Sequence, residues 1–155
     1  MQALLDEYGE SHQNATNKTI HWICVPSIFY SIVGLIYSIP NGLLSGLLGQ
    51  SWYANWAMVM IALLVVYYLT LSFSLTIGMA AFSYFCFYLA GYMSVAFSTP
   101  LWLICVIIFV VAWIGQFYGH HVEGKKPSFL KDLQFLLVGP AWLMHFIYKR
   151  LGIPY

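Results

Sequence analysis

The sequence has almost no charged residues over most of its length. From Thr19 to Val122 there is no Asp, Glu, Lys or Arg, while 61% of all residues are hydrophobic and 7% are charged. A soluble domain needs charged side chains over its surface, so this stretch excludes a soluble fold. The net charge of +1 gives no general attraction to nucleic acid. The middle of the chain is therefore predicted to lie in a lipid bilayer.

Several catalytic and redox motifs are missing as well. There is no glycine-rich phosphate loop, no serine nucleophile elbow, no Cys-x-x-Cys pair and no acidic residue at mid-membrane depth. Cys24, Cys86 and Cys105 lie in apolar runs, which predicts reduced packing residues. Five histidines are too few for the many-histidine boxes of two-iron membrane desaturases. Residues 1–18 are too acidic and polar for a signal peptide, so we expect the first apolar segment to be retained.

The apolar runs predict an all-α, polytopic integral membrane protein that forms a single membrane domain over residues 1–155. A bilayer core of about 30 Å needs about 20 apolar residues per helix. By this measure the four predicted spans are residues 22–39, 55–73, 76–97 and 101–119. The last apolar run, residues 133–148, is short and broken by Gly139-Pro140, and it favours a re-entrant or interfacial helix over a fifth span. It carries His145, which we interpret as an interfacial anchor.

The lysines and arginine indicate the orientation. Under four spans, residues 1–18 and 120–132 return to the same side, and the connecting loops contain no Lys or Arg. The positive-inside rule then places both termini in the cytoplasm. Lys18, Lys125 and Lys126 satisfy this rule, and they are also candidates to attract a carboxylate. The short chain without a retention tail favours a bacterial inner membrane over the endoplasmic reticulum.

Four of the five histidines flank the first and fourth spans. His12 and His21 lie at the start of the first span, and His120 and His121 close the fourth. An even number of crossings brings them to one membrane face, where clustered imidazoles suit a transition metal. Interfacial anchoring, without a metal, is the alternative interpretation.

His12 and His21 can reach the same site only if the helix is interrupted between them. Nine residues turn a helix by about 900°, so His12 and His21 would lie on opposite faces of one continuous helix. We expect the break in the Asn-Ala-Thr-Asn sequence at residues 14–17, with Asn17 capping the helix that carries His21.

Further polar residues accompany His120. Glu123 lies three positions later on the same helical face, where it is a candidate to ligate a metal, to orient His120 or to pair with a nearby lysine. His121 points about 100° away, so we do not expect both histidines on one ion. Gln116 is polar at membrane depth and is a candidate to hold a ligand or a substrate head group.

Two glycines on the fourth span predict a close helix contact. Gly115 and Gly119 have the Gly-x-x-x-Gly spacing, which lets another helix approach closely. We therefore expect packing to explain these glycines.

Motifs at both ends of the charge-free stretch resemble those of a known family. They read Tyr8-x3-His12-x4-Asn17-x3-His21-x4-Pro26 and Trp113-x2-Gln116-Phe117-x-Gly119-His120, followed by Lys126-Pro127 and Gly139-Pro140. In these motifs the chain resembles the membrane 2-hydroxy fatty acid dioxygenases, whose founding fungal member is named for the metabolism of phytosphingosine to odd-numbered fatty acids. The resemblance covers nearly the whole chain.

The resemblance implies an iron(II)-dependent enzyme of fatty acid α-oxidation, which uses dioxygen to convert a membrane-borne 2-hydroxy fatty acid to the acid one carbon shorter. The family's histidines match His12, His21 and His120, and these are the implied ligands. His121 has no family counterpart, and Glu123 lies one position nearer the histidine than the family's acidic residue. Three imidazoles leave about three open positions on iron(II) for a 2-hydroxy acid and dioxygen. The alternatives are a non-catalytic membrane scaffold or lipid carrier and a heme-binding electron carrier.

Overall fold

The computed structural model describes residues 14–124 and 138–154, and all regular structure within them is helical. In chain order the helices are α1 (Ala15–Tyr37), α2 (Gly42–Leu48), α3 (Trp56–Leu69), α4 (Phe73–Ala96), α5 (Leu101–Glu123) and α6 (Val138–Leu151). The all-α fold predicted from the apolar runs is thereby confirmed.

Of the described helices, α1, α4 and α5 are long and apolar enough to cross a bilayer. With 23 or 24 residues each, they extend about 35 Å, slightly more than a bilayer core of about 30 Å. The apolar α3 has 14 residues, or about 21 Å, and is shorter than such a core. Large apolar side chains such as Val66, Ile77 and Val111 are exposed, which suits contact with lipid. The chain is therefore a membrane protein.

The helix boundaries differ from the predicted spans at several points. The chain folds back at residues 70–72, slightly before the predicted break, because Ser72 caps α4 by accepting a hydrogen bond from the Leu75 backbone N–H at 3.4 Å. The short helix α2 was not among the predicted elements. Helix α5 continues beyond Gly119 to Glu123. Residues 133–137 of the predicted C-terminal run lie outside the described residues, and the remainder forms α6.

The described residues fall into two compact units. In the unit formed by Tyr30–Ile107, the Tyr37 ring packs edge-on against Phe87 with ring centroids 5.2 Å apart. Gly34 lies against the side chain of Cys105. All three cysteines are free and buried, as predicted.

The other unit contains the described residues of Met1–Phe29 and Ile108–Tyr155. Here α1 and α5 approach closely at Gly115 and Gly119. A Cβ atom added to Gly115 would lie 2.7 Å from the Cys24 Sγ, and one added to Gly119 would collide with the Asn17 Oδ1. The close helix contact predicted from the Gly-x-x-x-Gly spacing is confirmed. Helix α6 packs on α1 through a buried apolar cluster of Val25, Val138, Trp142 and Leu143.

Candidate metal centre

His21 of α1 and His120 of α5 come together in the unit that contains the described residues of Met1–Phe29 and Ile108–Tyr155. Both side chains are buried, with exposed fractions of 1% and 4%. Their ring centroids are 5.2 Å apart and the rings are nearly perpendicular, at 78°. Two imidazoles bound to one ion through nitrogens at about 2.1 Å have ring centres about 5 Å apart. The separation of this pair therefore fits two ligands of a single metal ion.

The hydrogen bond of His21 determines which ring nitrogen carries the proton. The Nδ1 atom lies 3.0 Å from the backbone carbonyl oxygen of Asn17, one helical turn earlier. A carbonyl only accepts, so Nδ1 is the donor, and in the neutral ring the lone pair is on Nε2. Metal-bound histidines usually donate their other ring N–H in this way. His21 is thus held in the tautomer that can bind a metal through Nε2.

Glu123 joins the two helices beside the histidine pair. Its carboxylate accepts a hydrogen bond from the Asn17 side-chain amide at 3.0 Å. It also accepts the Asn14 backbone N–H, at 3.1 Å to Oε1 and 2.9 Å to Oε2. A carboxylate at the N-terminus of α1 is stabilised by the helix dipole. Glu123 therefore contacts Asn17, the residue whose backbone carbonyl accepts the hydrogen bond from His21.

The helix that carries His21 is capped by Asn14, and the prediction of Asn17 as its cap was wrong. The Asn14 Oδ1 accepts hydrogen bonds from the backbone N–H groups of Thr16 at 2.8 Å and Asn17 at 3.4 Å. These are the second and third residues of α1, the usual partners of a cap. Asn17 is inside the first turn, so its amide is available to Glu123. The signal that sequence reasoning missed was the earlier asparagine of the same motif.

A row of polar residues on one face of α5 includes His120. Gln116, His120 and Glu123 are separated by four and three positions, and so they share one helical face. Gln116 is buried, with 6% of its surface exposed. Within the part of the chain that the structure describes, its amide makes no hydrogen bond. It is available to bind a polar group one turn deeper than His120.

The remaining candidate histidines do not join this pair in the described structure. His12 lies outside the described residues. His121 is exposed, on a different face of α5 from His120. His145 is half-buried on α6 and packs against the Phe146 ring, with centroids 5.3 Å apart. Residues 14–124 and 138–154 contain no group of three His, Cys, Asp or Glu side chains able to hold a metal.

Comparison with known proteins adds one finding. Residues 1–151 match the model of the Mpo1-like family, described as 2-hydroxy-palmitic acid dioxygenase Mpo1-like. No curated protein and no solved structure has significant similarity to the chain.

Proposed function

The chain belongs to the Mpo1-like family, and on that premise we propose that it is an iron(II)-dependent dioxygenase that shortens 2-hydroxy fatty acids by one carbon. The observation that carries the proposal is the buried pair of His21 and His120, with ring centroids 5.2 Å apart. A buried imidazole pair at this distance is the arrangement expected of metal ligands. The family description supports the substrate class.

In this proposal His21 and His120 hold the iron together with His12, which occupies the third matching position of the family motif. Iron(II) would supply the binding and activation of dioxygen. The Asn17 carbonyl accepts the hydrogen bond from Nδ1 of His21, so Nε2 is the nitrogen that would bind the ion. Glu123 fixes the position of Asn17 through its side-chain amide. Burial of both rings excludes bulk water from the site.

Gln116 is proposed to bind the head of the substrate. Its amide provides two N–H donors and one carbonyl acceptor, which suits the carboxylate and the hydroxyl of a 2-hydroxy acid. It lies one turn from His120 toward the middle of α5, so a head group bound between the two leaves the acyl chain among apolar side chains. The substrate would then be taken from the membrane, with its polar head at the interface.

The proposed reaction is balanced without an added reductant. A 2-hydroxy acid and one dioxygen give the acid one carbon shorter, carbon dioxide and water. The bond between the carboxyl carbon and C2 breaks, C2 becomes the new carboxyl carbon, and the substrate supplies all four electrons that dioxygen accepts. This agrees with the absence of a glycine-rich nucleotide-binding motif in the sequence.

We further propose that both ends of the chain face the cytoplasm of a bacterium and that the enzyme lies in its inner membrane. The distribution of Lys and Arg, which occur only before and after the charge-free stretch, supports the cytoplasmic orientation.

A turnover assay tests this function. Purified protein is given iron(II), dioxygen and 2-hydroxypalmitate, and the expected product is the saturated acid one carbon shorter. Palmitate without the hydroxyl is the matched substrate control and should give no product. Folded, iron-loaded protein that leaves 2-hydroxypalmitate unchanged would indicate a scaffold or lipid carrier instead.

A further inference from the structure

A groove of about 620 Å³ lies between α1 and α6, in the same unit as the histidine pair. Its charged lining residues are Lys18 in the first turn of α1 and Lys149 and Arg150 in the last turn of α6. Its apolar lining residues include Trp22 and Phe146. The volume lies within the range of small-molecule sites, about 300–1,000 Å³. The groove therefore offers a cationic rim beside an apolar wall.

The charges of this groove have no acidic counterpart in the described structure. Lys18, Lys149 and Arg150 are all the lysines and arginines that residues 14–124 and 138–154 contain, and all three line the groove. Glu123 is the one carboxylate side chain in the same ranges, and it is bonded to Asn14 and Asn17. No ion pair joins any of the three cations to a described residue. Within residues 14–124 and 138–154, no carboxylate competes with an anionic ligand for these charges.

We propose that this groove binds the head group of an anionic phospholipid, with an acyl chain against Trp22 and Phe146. Basic pockets beside membrane helices bind anionic head groups, and the guanidinium of Arg150 matches a phosphate in shape. Trp22 is 42% exposed, and tryptophan is enriched at the level of lipid head groups. The phosphodiester of such a lipid and the carboxylate of a fatty acid each carry one negative charge, so a 2-hydroxy fatty acid is the competing ligand in the test.

The groove is separate from the histidine pair. Lys18 and Trp22 follow Asn17 and His21 by one residue, so each points about 100° around α1 from that face. A lipid bound to Lys18 thus lies on a neighbouring face of the helix and does not occupy the proposed iron ligands. This second site does not depend on the proposed catalytic activity.

Native mass spectrometry of the full chain in a neutral detergent tests the proposal, with titration of phosphatidylglycerol and phosphatidylcholine that carry identical acyl chains. The test variant combines Lys18→Gln, Lys149→Gln and Arg150→Gln. The matched control combines Lys18→Arg, Lys149→Arg and Arg150→Lys, which keeps all three charges. Each single neutral variant is measured as well, so that misfolding of the triple variant does not decide the result.

We expect the wild type and the charge-conserving control to bind phosphatidylglycerol more tightly than phosphatidylcholine. Each neutralised cation should weaken phosphatidylglycerol binding by about fivefold, and all three by roughly a hundredfold. Equal binding of the two lipids, or unchanged phosphatidylglycerol binding in every neutral variant, overturns the proposal. Displacement of phosphatidylglycerol by an equal concentration of 2-hydroxypalmitate also overturns it, because the groove would then be a fatty acid site.

Discussion

The side-chain amide of Asn17 donates a hydrogen bond to the carboxylate of Glu123 at 3.0 Å, across two helices whose residues lie far apart in the sequence. The same Asn17 accepts the Nδ1 proton of His21 with its backbone carbonyl. This residue therefore connects the carboxylate at the end of α5 to the imidazole of α1. The position of His21 relative to His120 depends on it.

Exchanging the partners of this hydrogen bond tests its role. Asn17→Ala removes a hydrogen bond to a charged group, which contributes about 1.5–3 kcal/mol. Asn17→Asp should destabilise the protein by more than this, because it also places a second carboxylate against Glu123. Adding Glu123→Gln to Asn17→Asp restores a donor and an acceptor and should recover most of the lost stability. Thermal unfolding in detergent measures each variant.

Additive losses in the double variant, with no recovery, would show that Asn17 and Glu123 do not interact. The single variant Glu123→Gln is the control, because it keeps an acceptor for the Asn14 backbone N–H.

The close packing of α1 on α5 predicts a strong effect at Gly119. A methyl group there collides with the Asn17 Oδ1, so Gly119→Ala should lower stability by about 1–3 kcal/mol, the usual cost of overpacking. Gly46→Ala is the matched control, because a Cβ at Gly46 of α2 meets nothing within 4 Å. That control should be neutral or stabilising by up to about 1 kcal/mol, since alanine favours a helix more than glycine does. Equal melting temperatures of the two variants would be evidence against this helix contact.

Gln116 has a predicted role in substrate binding that can be separated from metal binding. Gln116→Leu keeps the size of the side chain but removes its hydrogen-bonding groups. We expect the variant to retain its iron and to show a KM for 2-hydroxypalmitate at least about tenfold higher, because a lost hydrogen bond to a charged head group costs about 1.5–3 kcal/mol. Gln116→Asn, which keeps the amide, is the control for polarity. An unchanged KM in Gln116→Leu contradicts this role, and loss of iron would instead indicate a structural effect on His120.

Much of the fold follows directly from the sequence. The absence of charge between Thr19 and Val122 predicts membrane helices, because buried or lipid-facing segments exclude ions. The fold-back near Ser72 was predicted within a few residues, since the least apolar segment of a long run is where a turn costs least. The short helix α2 and the length of α3 were not predicted, because hydropathy does not show where short helices begin and end.

The candidate site was predictable in part. An even number of spans was predicted to bring His21 and His120 to one membrane face, and in the described structure the two rings lie together. The choice of Asn14 over Asn17 as the cap was missed, although Asn14 belongs to the same motif and its cap hydrogen bonds to Thr16 and Asn17 are local. The basic groove was not predicted either, since Lys18 and Arg150 meet only through the packing of α6 on α1.

The iron content of the purified protein tests the central claim most directly. We predict about one iron per chain in wild type loaded with iron(II) under anaerobic conditions. His21→Ala and His120→Ala should each lose it, whereas His121→Ala and His145→Ala, the matched histidine controls, should keep it. Absence of iron from the wild type, or retention of iron in both His21→Ala and His120→Ala, would contradict the assignment of this pair as the metal centre.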